Sequence, residues 1–256
     1  MIKEESRFAS STVFEGMTSI RALLDNLKDG VKNARKIEKI LYDKDKAKSK
    51  EKEIGYLTKM AELFGFEIIS TTKEEIDSLT VGASHGGIVA ICGERNYEEL
   101  SSNSLIENGF YVMIEGIEDP YNFGYALRSI YASGADGIIL SKRNWLSASG
   151  VVCRSSAGAS ERLNIYIEND DFIKTFKEKG YKIVCADIKN SVSVYEADLK
   201  KPILLIVGGE KRGISSSILK QADQIVRIDY GRRFDAALSA ASASTILAFE
   251  VYKNNR

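Results

Sequence analysis

After residue 109 six strand-like apolar runs follow one another: "FYVMIEG", "ADGIIL", "LNIYIE", "YKIVCAD", "PILLIVGG" and "QIVRIDY". Helical patterns lie between most of them, and this alternation predicts an α/β fold with a mainly parallel sheet covered by helices on both faces. In an open parallel sheet, ligands bind beyond the carboxyl ends of strands. The loops leaving "FYVMIEG", "PILLIVGG" and "QIVRIDY" are therefore where chemistry should be sought.

The first 94 residues read as a smaller α/β unit. In "GMTSIRALLDNLKDG" the residues Ile20, Leu23, Leu24 and Leu27 share one helical face, and Gly30 stops the helix. "KIEKILYD" reads as a strand. The charged stretch 43–65 runs into a helix whose apolar stripe is Ile54, Leu57, Met60, Ala61 and Phe64. "FEIIST" and "GGIVAICGE" complete the unit, and "RNYEELSSNSLIENG" has turn residues without a sustained period. The expected organisation is a domain over 1–97, a linker over 98–109 and a second domain over 110–256.

Lys+Arg and Asp+Glu both number 36, so overall charge marks no strongly basic nucleic-acid binder. Locally, residues 27–53 hold ten Lys/Arg against six Asp/Glu. That excess is either a solvated helix face or a basic surface for a phosphate backbone. Three widely spaced cysteines, Cys92, Cys153 and Cys185, form no disulfide framework and fit reducing cytosol. A single histidine, His85, excludes multi-histidine metal centres, and no metal site is expected. No signal-peptide core and no run of about 18 apolar residues is present, so a soluble, cytoplasmic protein is expected, without a membrane partner.

The first of the three loops, "DPYNFGYALR", holds Asn122, Gly124 and Arg128. Asn122 is placed to cap the following helix, and Arg128 lies about 120° around the axis from it, so both can border one cavity above the sheet. In the second, "IVGGEKRGIS", Gly208, Gly209 and Gly213 flank Glu210 and admit close approach to the backbone. It is neither a Walker A loop nor a GxGxxG fingerprint, so nucleoside recognition by backbone groups is preferred to phosphate cradling, and a nucleotide-binding oxidoreductase is disfavoured. The third, "IDYGRRFDAALSAASAS", turns into a helix rich in alanine and serine, where another backbone or a ligand can come near.

Together these loops resemble the motifs of the SpoU/TrmH family of RNA ribose methyltransferases, within the SPOUT superfamily. Asp119, Pro120, Asn122, Gly124 and Arg128 match its first motif; Gly208, Glu210 and Gly213 match its second; "RSSAGASERL" looks like its Ser-Ala-Gly-Ala segment. The N-terminal part is similar to the family's substrate-binding domain, a small α/β module like certain ribosomal proteins, with "ASHGGIVAICGE" resembling an Asn-His-Gln-Gly segment. His85 then reads as structural or RNA-proximal. The third motif departs from the family: Asp229 and Tyr230 stand where Pro-Met is usual, and Ala237, Leu238 and Ser239 where Ser-Leu-Asn is usual.

The resemblance implies a C-terminal trefoil-knotted methyltransferase domain, S-adenosylmethionine as cofactor and a homodimer whose active site takes residues from both subunits. It implies ribosomal or transfer RNA as substrate, methylated at a ribose 2′-hydroxyl. Catalytic roles fall to Arg128, Asn122, Glu210 and Ser239. Cofactor contacts fall to Gly208, Gly209, Glu210, Gly213, Ile228, Tyr230, Leu238 and Ser239. Arg128, a permanent cation, is expected to clamp phosphate and stabilise the developing alkoxide. The alternative is an RNA-binding protein that keeps the fold and methylates weakly or not at all, because serine lacks the amide donors of asparagine.

Overall fold

The computed structural model describes residues 12–31, 33–80, 85–141, 148–209 and 211–256. The chain divides into two compact units, Met1–Asn96 with Asn144–Arg162, and Tyr97–Arg143 with Leu163–Arg256.

In the first unit the strands β1 (Val13–Glu15), β2 (Ile37–Asp43), β3 (Glu67–Thr71) and β4 (Ile88–Cys92) form a sheet in the order β1-β4-β2-β3. Only the β2–β3 pair is parallel. Side chains alternate between the two sides of a strand, and here both sides are buried. Phe14, Ile40, Ile88 and Ala90 meet the apolar stripes of α1 (Gly16–Lys28) and α2 (Glu51–Phe64), while Val13, Leu41 and Val89 pack with Ile76 of α3 (Lys73–Leu79). His85 is 2% exposed. Its Nδ1 accepts the Gly87 N–H at 3.1 Å and its Nε2 lies 2.9 Å from an Asp77 carboxylate oxygen, so it pins the turn before β4.

The second unit carries a wholly parallel sheet of eight strands. In chain order these are β5 (Glu98–Glu99), β6 (Phe110–Glu115), β7 (Gly137–Leu140), β8 (Ile165–Ile167), β9 (Lys182–Ala186), β10 (Val192–Ser193), β11 (Ile203–Gly208) and β12 (Gln224–Arg227). Their order across the sheet is β10-β12-β9-β11-β6-β7-β8-β5. All six sequence-predicted runs are strands. Tyr111, Met113, Ile183, Leu204 and Ile206 pack under α7 (Phe172–Glu178) and α8 (Ser216–Leu219). The intervening Phe110, Val112, Ile114, Ile203 and Leu205 are equally buried. On β11 lies α9 (Ala240–Asn254), which also packs along α4 (Pro120–Ala132).

Two segments differ from the sequence reading. Residues 98–109 are more than a connector: β5 extends the sheet beside β8, and Leu100 and Leu105 are buried in the core. Residues 149–162, read as part of the C-terminal domain, pack inside the first unit as α5 (Ser149–Ser155) and α6 (Ala159–Arg162). A Cβ on Gly150 would overlap the Val13 carbonyl, and one on Gly158 would lie 2.5 Å from Ala22 Cβ, so glycine permits both approaches. Glu161 and Arg35, each 3% exposed, meet at 3.1 Å, with Arg95 3.9 Å from the same carboxylate.

Candidate active site

The start of α4 corrects the capping assignment. Asp119, not Asn122, is the N-cap: its carboxylate accepts the N–H groups of Tyr121 and Asn122 at 3.3 and 3.1 Å. Pro120 takes the first helical position, where no N–H donor is needed, and so sets the start three residues earlier than expected. Asn122 lies within the first turn and Arg128 in the third, exposed to solvent.

The loops after β6 and β11 touch backbone to backbone. The Gly209 N–H donates to the Glu115 carbonyl at 2.5 Å, and the Ser215 N–H donates to the Glu115 carboxylate at 2.8 Å. A Cβ on Gly209 would overlap the Gly116 carbonyl, and one on Gly208 would lie 2.6 Å from the Gly213 carbonyl carbon. Gly213 has φ +62°, the left-handed region that glycine occupies without strain. The sequence reading kept these positions small for a ligand; in the structure Gly208 and Gly209 are small first because another strand of backbone is there. Lys211 and Glu118 add an ion pair between the same two loops. Glu210 lies outside the described residues.

A cavity of about 740 Å³ opens at the carboxyl ends of β9, β11 and β12. Its volume suits a ligand of nucleoside size or larger. Six of the expected cofactor residues line it: Gly208, Gly209, Gly213, Ile228, Tyr230 and Leu238. Ser239 does not. It is the N-cap of α9, its hydroxyl accepting the Ser242 N–H at 3.1 Å, while its neighbours Leu238 and Ala240 reach the cavity. The Tyr230 hydroxyl accepts the Leu238 N–H at 3.2 Å and closes the third loop on itself. Asp229 is held below the usual carboxylate range by the Ser193 hydroxyl and by Arg227, whose Nε lies 2.8 Å away.

Asn122 and Arg128, expected to border one cavity together, are not among the residues that line this one. A fourth loop, after β9, does: Asp187, Ile188 and Lys189 form part of the wall. Sequence reasoning missed them because β9 stands between β11 and β12 only in the folded sheet. The run "YKIVCAD" is a strand of the same kind with a polar residue, Asp187, at its carboxyl end, and that was the available signal. Arg232, Arg233 and Phe234, also on the wall, belong to the stretch that departs from the family pattern. Among the described residues no His/Cys/Asp/Glu group is arranged to hold a metal, and no helix is long and apolar enough to cross a membrane.

Residues 109–249 match the SpoU rRNA Methylase family, and residues 14–98 match the family described as RNA 2′-O ribose methyltransferase substrate binding. A 23S rRNA (guanosine-2′-O-)-methyltransferase, RlmB of Shewanella oneidensis, is 29% identical over 78% of this chain and 83% of its own. Among solved structures, the AdoMet-bound rRNA methyltransferase from Sinorhizobium meliloti aligns with a TM-score of 0.78 at 24% identity, covering 94% of this chain and 87% of that one. The SpoU methyltransferase AviRb from Streptomyces viridochromogenes, in complex with AdoMet, aligns at 0.73 and 20% identity, covering 94% and 89%. At such identities these two structures speak for the shared α/β fold. The longer family match covers more than half of the residues, and the chain belongs to the SpoU rRNA Methylase family.

Proposed function

We propose that this protein transfers a methyl group from S-adenosylmethionine to a ribose 2′-hydroxyl of structured ribosomal or transfer RNA. The observation that carries the reading is the cavity at the carboxyl ends of β9, β11 and β12, walled by six residues of the family's second and third motifs. The group fits. Val207, Ile228 and Leu238 offer an apolar wall for an adenine, and Gly208 brings backbone to the same wall with no side chain to screen it. When bound, S-adenosylmethionine supplies a sulfonium-activated methyl group.

The chain's own residues have to orient a hydroxyl and stabilise the charge that develops on it, since position and local field supply most of the acceleration in such a displacement. We assign that task to Arg128, which also clamps an adjoining phosphate. Its exposure on α4, away from the cavity of its own chain, supports a homodimer in which Arg128 serves the site of a second copy. Tyr121 and Tyr125 on α4 and Phe249 and Tyr252 on α9 are exposed aromatics on two helices that pack together, and they supply an apolar surface for that contact. Asn122 and Glu210 shape the site. The tight backbone crossing of Glu115 and Gly116 with Gly209 supports the trefoil knot. The first unit, residues 1–96 with 144–162, then serves as the RNA-recognition domain and the second, residues 97–143 with 163–256, as the methyltransferase domain, in a cytoplasmic enzyme whose cysteines are buried and free.

Calorimetric titration with S-adenosylmethionine, followed by mass mapping of ribose methylation in RNA from a deletion strain and its parent, tests the reading. Loss of one ribose methyl group in the deletion strain is expected; identical maps would sink it. One observation favours a second reading, an RNA-binding protein with impaired catalysis: the Ser239 hydroxyl is committed to capping α9. Cofactor binding together with identical maps selects that reading.

A further inference from the structure

We infer that the turn over residues 230–235 is a rest for single-stranded RNA, on which Phe234 stacks a base beside the target nucleotide and Arg232 holds an adjoining phosphate. The inference rests on the RNA-methylating role proposed above and names residues for it that lie outside the family's motifs.

Phe234 is 60% exposed at the wall of the cavity, although a phenylalanine gains most from burial. It is not a loose side chain on a loose loop. Tyr230 lies beside it with ring centroids 6.1 Å apart and planes tilted by 55°, and Tyr230 is itself tied to the start of α9 through the Leu238 N–H. The two rings form a braced aromatic platform that faces solvent. Bases of a duplex are stacked on each other and unavailable to such a platform, whereas an unstacked base of a loop or single strand can settle on it.

The charge around the platform points to the same ligand. Lys189, Arg227, Arg232 and Arg233 line the cavity against Asp187 and Asp229, four cations to two anions. Arg227 is spent on Asp229. Arg233 faces Asp235 at 3.7 Å, but both side chains are about nine-tenths exposed, and such a pair is weak. Among the described residues Arg232 has no hydrogen bond or ion pair. S-adenosylmethionine carries a sulfonium, an ammonium and one carboxylate, a net positive charge, so surplus cations do not serve it. A polyanionic strand crossing the mouth of the cavity is complementary to them.

The test is fluorescence anisotropy of a 5′-fluorescein-labelled twelve-residue oligouridylate with the full chain, in saturating S-adenosylmethionine and over a range of salt. Phe234→Ala is expected to weaken binding about tenfold or more, and Phe234→Trp to stay within about twofold of the parent. Arg232→Ala is expected to reduce the slope of log affinity against log salt by about 0.7, the value for one phosphate contact on a single strand. Oligonucleotide affinity left unchanged by Phe234→Ala overturns the inference. So does a calorimetric loss of S-adenosylmethionine affinity as large as the loss for the oligonucleotide, because Phe234 would then be a cover for the cofactor. A protein that shows the Phe234-dependent binding yet leaves no ribose methyl group in RNA would instead sink the proposed activity and leave the stacking assignment standing.

Discussion

Gly209 shows what a motif residue hides. Its pattern was legible in "GGEKRG", yet the reason for glycine lies in a carbonyl about ninety residues away in sequence, at Gly116. Gly209→Ala forces one of two loops to move, and overpacking of this kind costs about 1–3 kcal/mol. Urea denaturation should show a lowered midpoint, and an unchanged midpoint would mean that the two loops are not held against each other. Asp119 teaches the reverse lesson. Capping chemistry was legible but was assigned to Asn122, three residues too late, and the proline that follows Asp119 decides the matter. For Arg128 the expected outcome of Arg128→Ala is a fall in methyl-transfer rate of about a hundredfold or more, the order found when one charge-stabilising donor is removed from an active site. A variant that transferred methyl groups at the parental rate would refute its role.

Among the elements, the strands of the second unit were readable because parallel strands buried on both sides are apolar throughout. Their neighbours were not readable. The segment 98–109 looked polar and aperiodic, and what holds it comes from outside it: the Tyr111 hydroxyl donates to the Ser104 carbonyl at 2.9 Å, and the distant Tyr181 hydroxyl donates to the Ile106 carbonyl at 2.5 Å. Burial pushes the Tyr111 phenol up to about 12 and raises that of Tyr181 as well. Up to about pH 10 both folded and unfolded chains keep these protons. Above that the unfolded chain ionises first, so stability should fall as pH rises from about 10 towards 12. Thermal melts across that range, compared with Tyr181→Phe, will show whether the alkaline loss is reduced when one phenol is absent. The α4 and α9 helices make a second element-scale prediction. Tyr125, 51% exposed, lies on the face proposed for a second copy. Tyr125→Glu should shift the protein towards a monomer in sedimentation and lower methyl transfer with it, while a parental protein already monomeric at working concentration would remove the homodimer from the mechanism.

For the whole molecule, the unexpected result is that the first unit is completed by residues 149–162, far along the chain. Glu161 binds Arg35 and approaches Arg95, the three side chains being nearly fully buried. Replacing Glu161 with Ala takes the facing carboxylate from the buried Arg35 guanidinium and from its neighbour Arg95, and breaking a buried pair in this way costs about 3–5 kcal/mol. A melting temperature unchanged by Glu161→Ala would show that the insertion does not stabilise the unit. By itself the sequence determined the α/β class, six strands of the parallel sheet and the three loops with their motif residues, because these depend on local periodicity and on residue types a few positions apart. Tertiary structure alone decided which strands are neighbours, that the loop after β9 joins the cavity wall, that Arg128 and Asn122 stay off it, and which unit receives residues 149–162. Each of those depends on contacts between residues distant in the chain, whose energies come from burial and backbone approach and leave no periodic trace in the sequence.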